Sequence, residues 1–214
     1  MITLHGVYRS RATRPLWLLL ETGTPFTHVP VIQAYRLPDP HAPDAPLNTA
    51  SPDFLAINPQ GQIPAMQDGE LILTESLAIA LYLARRYGGA LGPQDDAEGA
   101  LMDQWALFAA TAVETPALEI LQAPTGEMGE AILKVAAEKL RRPLARLNTH
   151  LHGRDWLVGN RFTVADINTA ECLRYAQGHA ALIAEFPEVQ RWLEAAQSRP
   201  AFQQLWAARM AEPA

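Results

Sequence analysis

Three short stretches hold the side chains with the most chemical potential. "YRSRATR" sets the hydroxyls of Tyr8, Ser10 and Thr13 among arginines, just after an alternating apolar segment. "LTESLAIALYLARRYG" puts Glu75 and Ser76 at the start of an apolar helical run. A hydroxyl and unpaired backbone N–H groups at a helix start suit a carboxylate, with the helix dipole adding to the attraction. Read more plainly, the pair is an N-cap with an acid in the first turn. "NPQGQIPAM" opens a strand with Pro64, a residue tolerated only at a strand's first position or on an edge. A cis Ile63–Pro64 bond is the other solution. Roughly 5–6% of X–Pro bonds are cis, so 17 prolines lead one to expect about one.

Other chemistries find little support. The single cysteine, Cys172, excludes an intramolecular disulfide or a CxxC redox pair, and it reads as a small core residue within a helix. His150 and His152 are two apart and point to different sides of a helix, so metal binding is not expected. In "FTVAD", Thr163 and Asp166 form a capping box ahead of an apolar run, a folding feature rather than a site.

The elements that must position these residues fall into two halves. "ITLHG" alternates as a half-buried strand, and Pro15 suits the first turn of the helix that follows. "THVPV" reads as a second strand, completing a βαβ unit. "PAMQ-DG-ELIL" is a hairpin turned by Asp68-Gly69, and a buried helix then runs from Glu75 or Ser76 to Tyr87, stopped by Gly88-Gly89. This βαβ-ββα order is that of a thioredoxin-like domain, expected over residues 1–88. The segment from Gln33 to Phe54 carries five prolines and is expected to be an irregular loop. Residues 89–95, "GALGPQD", read as a linker. No strand is evident from Asp95 onward; Leu101, Trp105, Phe108 and Ala112 recur at helical spacing, and 96–214 is expected to be an all-helical domain. The fold class is therefore α+β.

The totals bound the function. The chain has 214 residues, 49% of them apolar, and a formal net charge of -6, which argues against nucleic acid as a partner. Its longest uncharged apolar run, "LAIALYLA", falls far short of the roughly 20 residues that span a bilayer, so no membrane role is expected. "LWLLL" is followed at once by Glu21 without a small-residue cleavage site, which does not fit a signal peptide. A cytoplasmic setting fits best.

The thioredoxin-like half, "NPQGQIPAM", "LTESLAIALYLARRYG" and a helical half carrying "GNRFTVADI" together resemble the glutathione transferases, most nearly the serine-type cytosolic members of bacterial, theta-like or zeta-like kind. The resemblance covers essentially the whole chain. It implies that glutathione is the co-substrate and that no cofactor is permanently bound. Ile63 would present its backbone to the peptide beside a cis Pro64, while Glu75 and Ser76 hold the γ-glutamyl end and Gln62 contacts the peptide backbone. Ser10, three before Thr13-Arg14, would activate the thiol, with Tyr8 the second choice and Thr13 more simply an N-cap; Arg11 would add positive field. Trp105, Phe108 and Thr111, with Tyr8, are candidates for the second-substrate pocket. The absence of cysteine from the first loop disfavours members that work through a mixed disulfide.

The implied reaction is attack of the glutathione thiolate on an electrophilic, apolar second substrate. A cis–trans isomerase of the maleylacetoacetate type is the enzymatic alternative, weakened because Ser10 is followed by Arg11-Ala12 rather than by a paired serine and cysteine. A non-catalytic interaction module is the alternative from another class. The resemblance also implies a homodimer.

Overall fold

Ile2 and Leu4 point to one buried face of β1 (Ile2–His5), as their alternation requires. The computed structural model describes residues 1–212. Helix α1 (Thr13–Thr22) has Pro15 in its first turn and ends at Gly23, whose φ of 63° is the left-handed conformation that closes many helices. Leu16, Trp17, Leu18 and Leu19 of α1 are all buried. Burial of each such side chain stabilises by about 1.5–3 kcal/mol. Strand β2 (Phe26–Val29) then pairs parallel to β1, completing the βαβ unit.

The proline-rich stretch that follows is irregular, as expected, but it is firmly held. Buried Asn48 donates from Nδ2 to the carbonyls of Pro40 and Pro46, both at 2.9 Å, and accepts from the Ala50 N–H. A one-turn helix, α2 (Pro52–Leu55), ends the stretch and buries Phe54. Strands β3 (Ala65–Asp68) and β4 (Leu71–Leu73) form the hairpin, with Gly69 at φ 62° in its turn. The sheet order is β2-β1-β3-β4, with β3 antiparallel to both neighbours. Helix α3 (Ser76–Tyr87) packs on α1 over one sheet face, burying Ile79, Ala80 and Leu83.

The helical half contains α4 (Asp96–Phe108), a π-helical turn at Ala109–Val113, α5 (Glu114–Gln122) and α6 (Glu127–Leu151). It continues with α7 (Val164–Leu173), α8 (Ala180–Ala184) and α9 (Pro187–Gln197). The π turn interrupts the helical period that the sequence shows as continuous. All ten residues of α7 are buried, and the Thr163–Asp166 capping box is present at its start. Asp166 also accepts from the Leu157 N–H and the Trp192 indole, at 3.0 and 2.9 Å. Burial pushes its carboxyl up to about 6 against these hydrogen bonds.

Two compact units result, and their division differs from the sequence expectation at both ends of the helical half. The first is Met1–Gly89 together with the segment from Pro200 onward; the second is Ala90–Arg199. The last helix, α10 (Pro200–Ala211), packs on α1, with the Phe202 ring 4.7 Å from that of Trp17. The expected linker belongs mostly to the second unit. Arg161 donates to the carbonyls of Ala90 and Gly92 and forms an ion pair with Glu98, so the segment is clasped rather than free.

Candidate functional site

The first unit brings three of the singled-out stretches to the ends of its strands and helices. The first is the turn between β1 and α1. Gly6, at φ 150°, opens this turn, and a Cβ there would lie 2.9 Å from the Ala12 Cβ and 3.6 Å from that of Ile63. The positive φ and the crowding against Ala12 of the same turn call for glycine here. The Ser10 hydroxyl donates to the Val7 carbonyl at 2.6 Å and accepts from the Ala12 N–H at 3.0 Å. It is half-buried.

Thr13 does not cap α1. Its hydroxyl donates to the Ser10 carbonyl at 3.1 Å, and Ala12 occupies the cap position. Tyr8 sets its ring edge-on to His28, at 5.1 Å between centroids. Burial and the nearby Glu212 carboxylate push its hydroxyl pKa up, so it stays protonated. Arg11 is exposed on the same turn.

The second stretch is the loop before β3. Buried Asn58 accepts from the Gln60 N–H and donates to the Gln62 carbonyl at 2.7 Å, while the Gly61 N–H returns to the Asn58 carbonyl. Gly61 has φ 61°, and a Cβ there would approach the Thr49 carbonyl oxygen to 2.7 Å. This turn delivers Gln62 to the surface and Ile63 to a small cluster with Val31, Phe54 and Ala65. The Ile63–Pro64 bond is cis, and ladder pairing begins only at Ala65. Neither the N–H nor the C=O of Ile63 makes a backbone hydrogen bond among the described residues.

The third stretch is the start of α3. Glu75 holds the cap position at φ 64°, ψ 105°, with its side chain exposed and making no cap bond. A non-glycine residue in this region costs of order 1–3 kcal/mol. Ser76 is therefore the first helical residue and not the N-cap. Its hydroxyl accepts from the guanidinium of Arg14 at 2.8 Å, between side chains that are 5% and 2% exposed respectively. A hydroxyl that accepts in this way turns its own hydrogen toward another acceptor.

The remaining candidates lie in the second unit. Trp105 and Phe108 are buried, at 2% and 8% exposure, with their rings edge-on at 5.3 Å and the Arg146 guanidinium over both. Thr111 is exposed in the π turn and donates to the Leu107 carbonyl at 2.8 Å. Two residues were missed by sequence reasoning. Arg14 leaves a faint signal, a cation just ahead of the wholly apolar "PLWLLL" on a helix that must be buried. Glu212, which meets the Ser10 turn from the end of α10, leaves none.

Residues 4–91 match the glutathione S-transferase N-terminal domain and residues 103–200 the C-terminal domain of the same family. Glutathione S-transferase 1 of Zea mays is 33% identical over 213 residues, covering 94% of each chain. The structure of glutathione S-transferase I from maize, in complex with an atrazine glutathione conjugate, superposes with a TM-score of 0.82 at 27% identity, covering 99% of both chains. A theta-class glutathione S-transferase from the citrus canker pathogen Xanthomonas axonopodis pv. citri, with glutathione bound, gives a TM-score of 0.75 at 29% identity over 95% of both. With both domain matches in order and a full-length relative at this identity, the chain belongs to the glutathione S-transferase family and is a transferase that uses glutathione as co-substrate.

Proposed function

We propose that glutathione lies along the first unit with its thiol at Ser10, its cysteinyl main chain on Ile63 and its γ-glutamyl end at Glu75 and Ser76. The observation that carries this reading is the main chain of Ile63, which has a donor and an acceptor left over just before β3 begins. A short peptide adds there as an extra strand would. The N-terminus of α3 and the Ser76 hydroxyl receive the γ-glutamyl carboxylate, while Glu75 receives the ammonium. Exposed Gln62 and Arg11 flank the peptide.

Ser10 acts on the sulfur. A free thiol of pKa ~8.5 is only a few per cent ionised at neutral pH, and lowering it by two units takes about 2.7 kcal/mol of preferential thiolate stabilisation. The Ala12 N–H holds the Ser10 oxygen in place while its hydrogen swings from the Val7 carbonyl to the sulfur. The exchange gives up a neutral bond worth about 0.5–1.5 kcal/mol for a charge-assisted one worth about 1.5–3. The thiol proton leaves to water, the thiolate attacks an electrophilic carbon of an apolar substrate, a C–S bond forms, and any leaving group departs with its electron pair. On the first unit, half-buried Tyr8 is the proposed contact for that substrate.

The protein works as a cytoplasmic homodimer in this proposal. Exposed Leu71 and Ile72 (38% and 44%) on edge strand β4 support an interface, since a bare apolar edge is a liability in a monomer. Among the described residues no helix is long and apolar enough to cross a membrane. Titration of glutathione against the protein, followed by amide shifts, tests the site. Perturbation confined to residues outside 6–14, 58–65 and 75–77 would sink it.

A further inference from the structure

The turn that carries Ser10 is held from the far end of the chain. The Glu212 carboxylate accepts from two successive backbone N–H groups, Tyr8 to Oε1 and Arg9 to Oε2, both at 2.8 Å. Successive amides converging on one anion form a nest, and hydrogen bonds to a charged acceptor are roughly twice as strong as neutral ones. Two more bonds close the clasp. The Arg9 side chain donates from Nε to the Glu212 carbonyl at 3.1 Å, and Arg209 donates to the Tyr8 carbonyl at 2.6 Å. All four bonds join residues more than 200 positions apart. They hold Tyr8 and Arg9, the two residues between Val7 and Ser10, whose hydroxyl bond is the one redirected to the thiolate in the proposed reaction.

We propose that Glu212 is a positioning residue for thiol activation, holding the main chain of Tyr8 and Arg9 and through it the Ser10 hydroxyl. The proposal rests on reading Ser10 as the thiol's donor. The Glu212 carboxylate bonds to main-chain amides of the turn and has no assigned contact with glutathione in that reading. Its effect is also opposite in sign to its charge: a bare carboxylate near the thiol disfavours the thiolate, so deleting the charge alone lowers the thiol pKa. Loss of position raises it. Helix α10 does not depend on Glu212 for its place, because Phe202 and Leu205 are buried and the Trp206 ring stacks on Phe202 at 5.7 Å.

The test uses the full chain carrying Glu212→Ala, with Glu212→Gln read in its place if alanine prevents folding. Amide hydrogen exchange without substrate is expected to accelerate at Tyr8 and Arg9 but not at Leu4. With glutathione and an activated aryl chloride, the bound thiol's pKa is expected to rise and kcat to fall on the order of tenfold to a hundredfold, while glutathione affinity stays within about twofold. Glu212→Asp, which keeps the charge, should recover part of the rate. Unchanged exchange at Tyr8 and Arg9 overturns the proposal, as does a thiol pKa that stays or falls. The variant Ser10→Ala with and without Glu212→Ala separates this from the underlying reading. If Ser10→Ala leaves rate and pKa unaltered, the Ser10 assignment fails. If Ser10→Ala is slow and Glu212→Ala slows it equally further, Ser10 stands and action of Glu212 through it is refuted.

Discussion

The guanidinium of Arg14 donates to the Ser76 hydroxyl from within the core of the first unit, joining the first turn of α1 to the first residue of α3. A cation so deeply buried is costly unless its hydrogen bonds are well made. Here it polarises a hydroxyl at a helix N-terminus, where an anion is doubly favoured. In the proposed glutathione site the pair bears on ligand affinity as well as on folding.

Arg14→Met separates those roles. Replacing a buried charge by an apolar chain of similar length is often neutral or stabilising, so the melting temperature should hold or rise. Glutathione affinity should fall about tenfold, as expected from a lost charge-assisted contribution of about 1.4 kcal/mol or more. Calorimetry and thermal melts of one sample decide it; unchanged affinity removes Arg14 from the site.

Ser76→Ala loses no cap bond, because Ser76 is not the N-cap, but it strips the buried Arg14 guanidinium of an acceptor, so stability should fall by about 1–3 kcal/mol. Affinity for glutathione should drop by the worth of a bond to a charged group, about 1.5–3 kcal/mol. Combined with Arg14→Met, the losses should be less than additive, since both act through one hydroxyl. Full additivity in the double variant contradicts the coupling.

Ser10→Ala is expected to raise the pKa of bound glutathione's thiol and to slow conjugation by on the order of 10²–10³, with affinity nearly intact. Tyr8→Phe should leave the titration in place. Thiolate absorbance against pH reads both, and the reverse pattern would make Tyr8 the donor.

Gly61→Ala should destabilise the first unit and weaken glutathione together. The residue has positive φ, and its Cβ would press on the Thr49 carbonyl, so the turn that delivers Ile63 must shift. A loss of about 1 kcal/mol or more in denaturant unfolding is expected. Parent-like stability and affinity would show that the turn accommodates a side chain.

The acid limb of stability should depend on Glu98. Hydrogen bonds from Arg161 and the Gln94 N–H hold its carboxyl down to about 2, below its usual 4.5. A depressed carboxylate contributes stability in full above its unfolded value, and loses it as pH falls through the window from about 4.5 to about 2. Glu98→Gln should be less stable at neutral pH and show a flatter decline below about 4.5. Parallel curves for parent and variant would contradict this origin.

The sequence alone determined the βαβ-ββα order of the first unit and the helical character of the second, because strand alternation, helical period, Asp68-Gly69 and the Thr163–Asp166 box are local signals read over a few residues. Local rules located the turns and the helix start, while the choice of Ser10, Ile63, Glu75 and Ser76 within them came from the resemblance to the glutathione transferases. Tertiary structure alone decided what those residues touch. The bond from Arg14 to Ser76 spans 62 positions and those from Glu212 to Tyr8 and Arg9 more than 200, and neither leaves a periodic trace. The allegiance of α10 to the first unit is of the same kind. Phe202 and Leu205 declare that the helix is buried, but an apolar face packs on any core of matching shape, and only the folded chain sets it against Trp17.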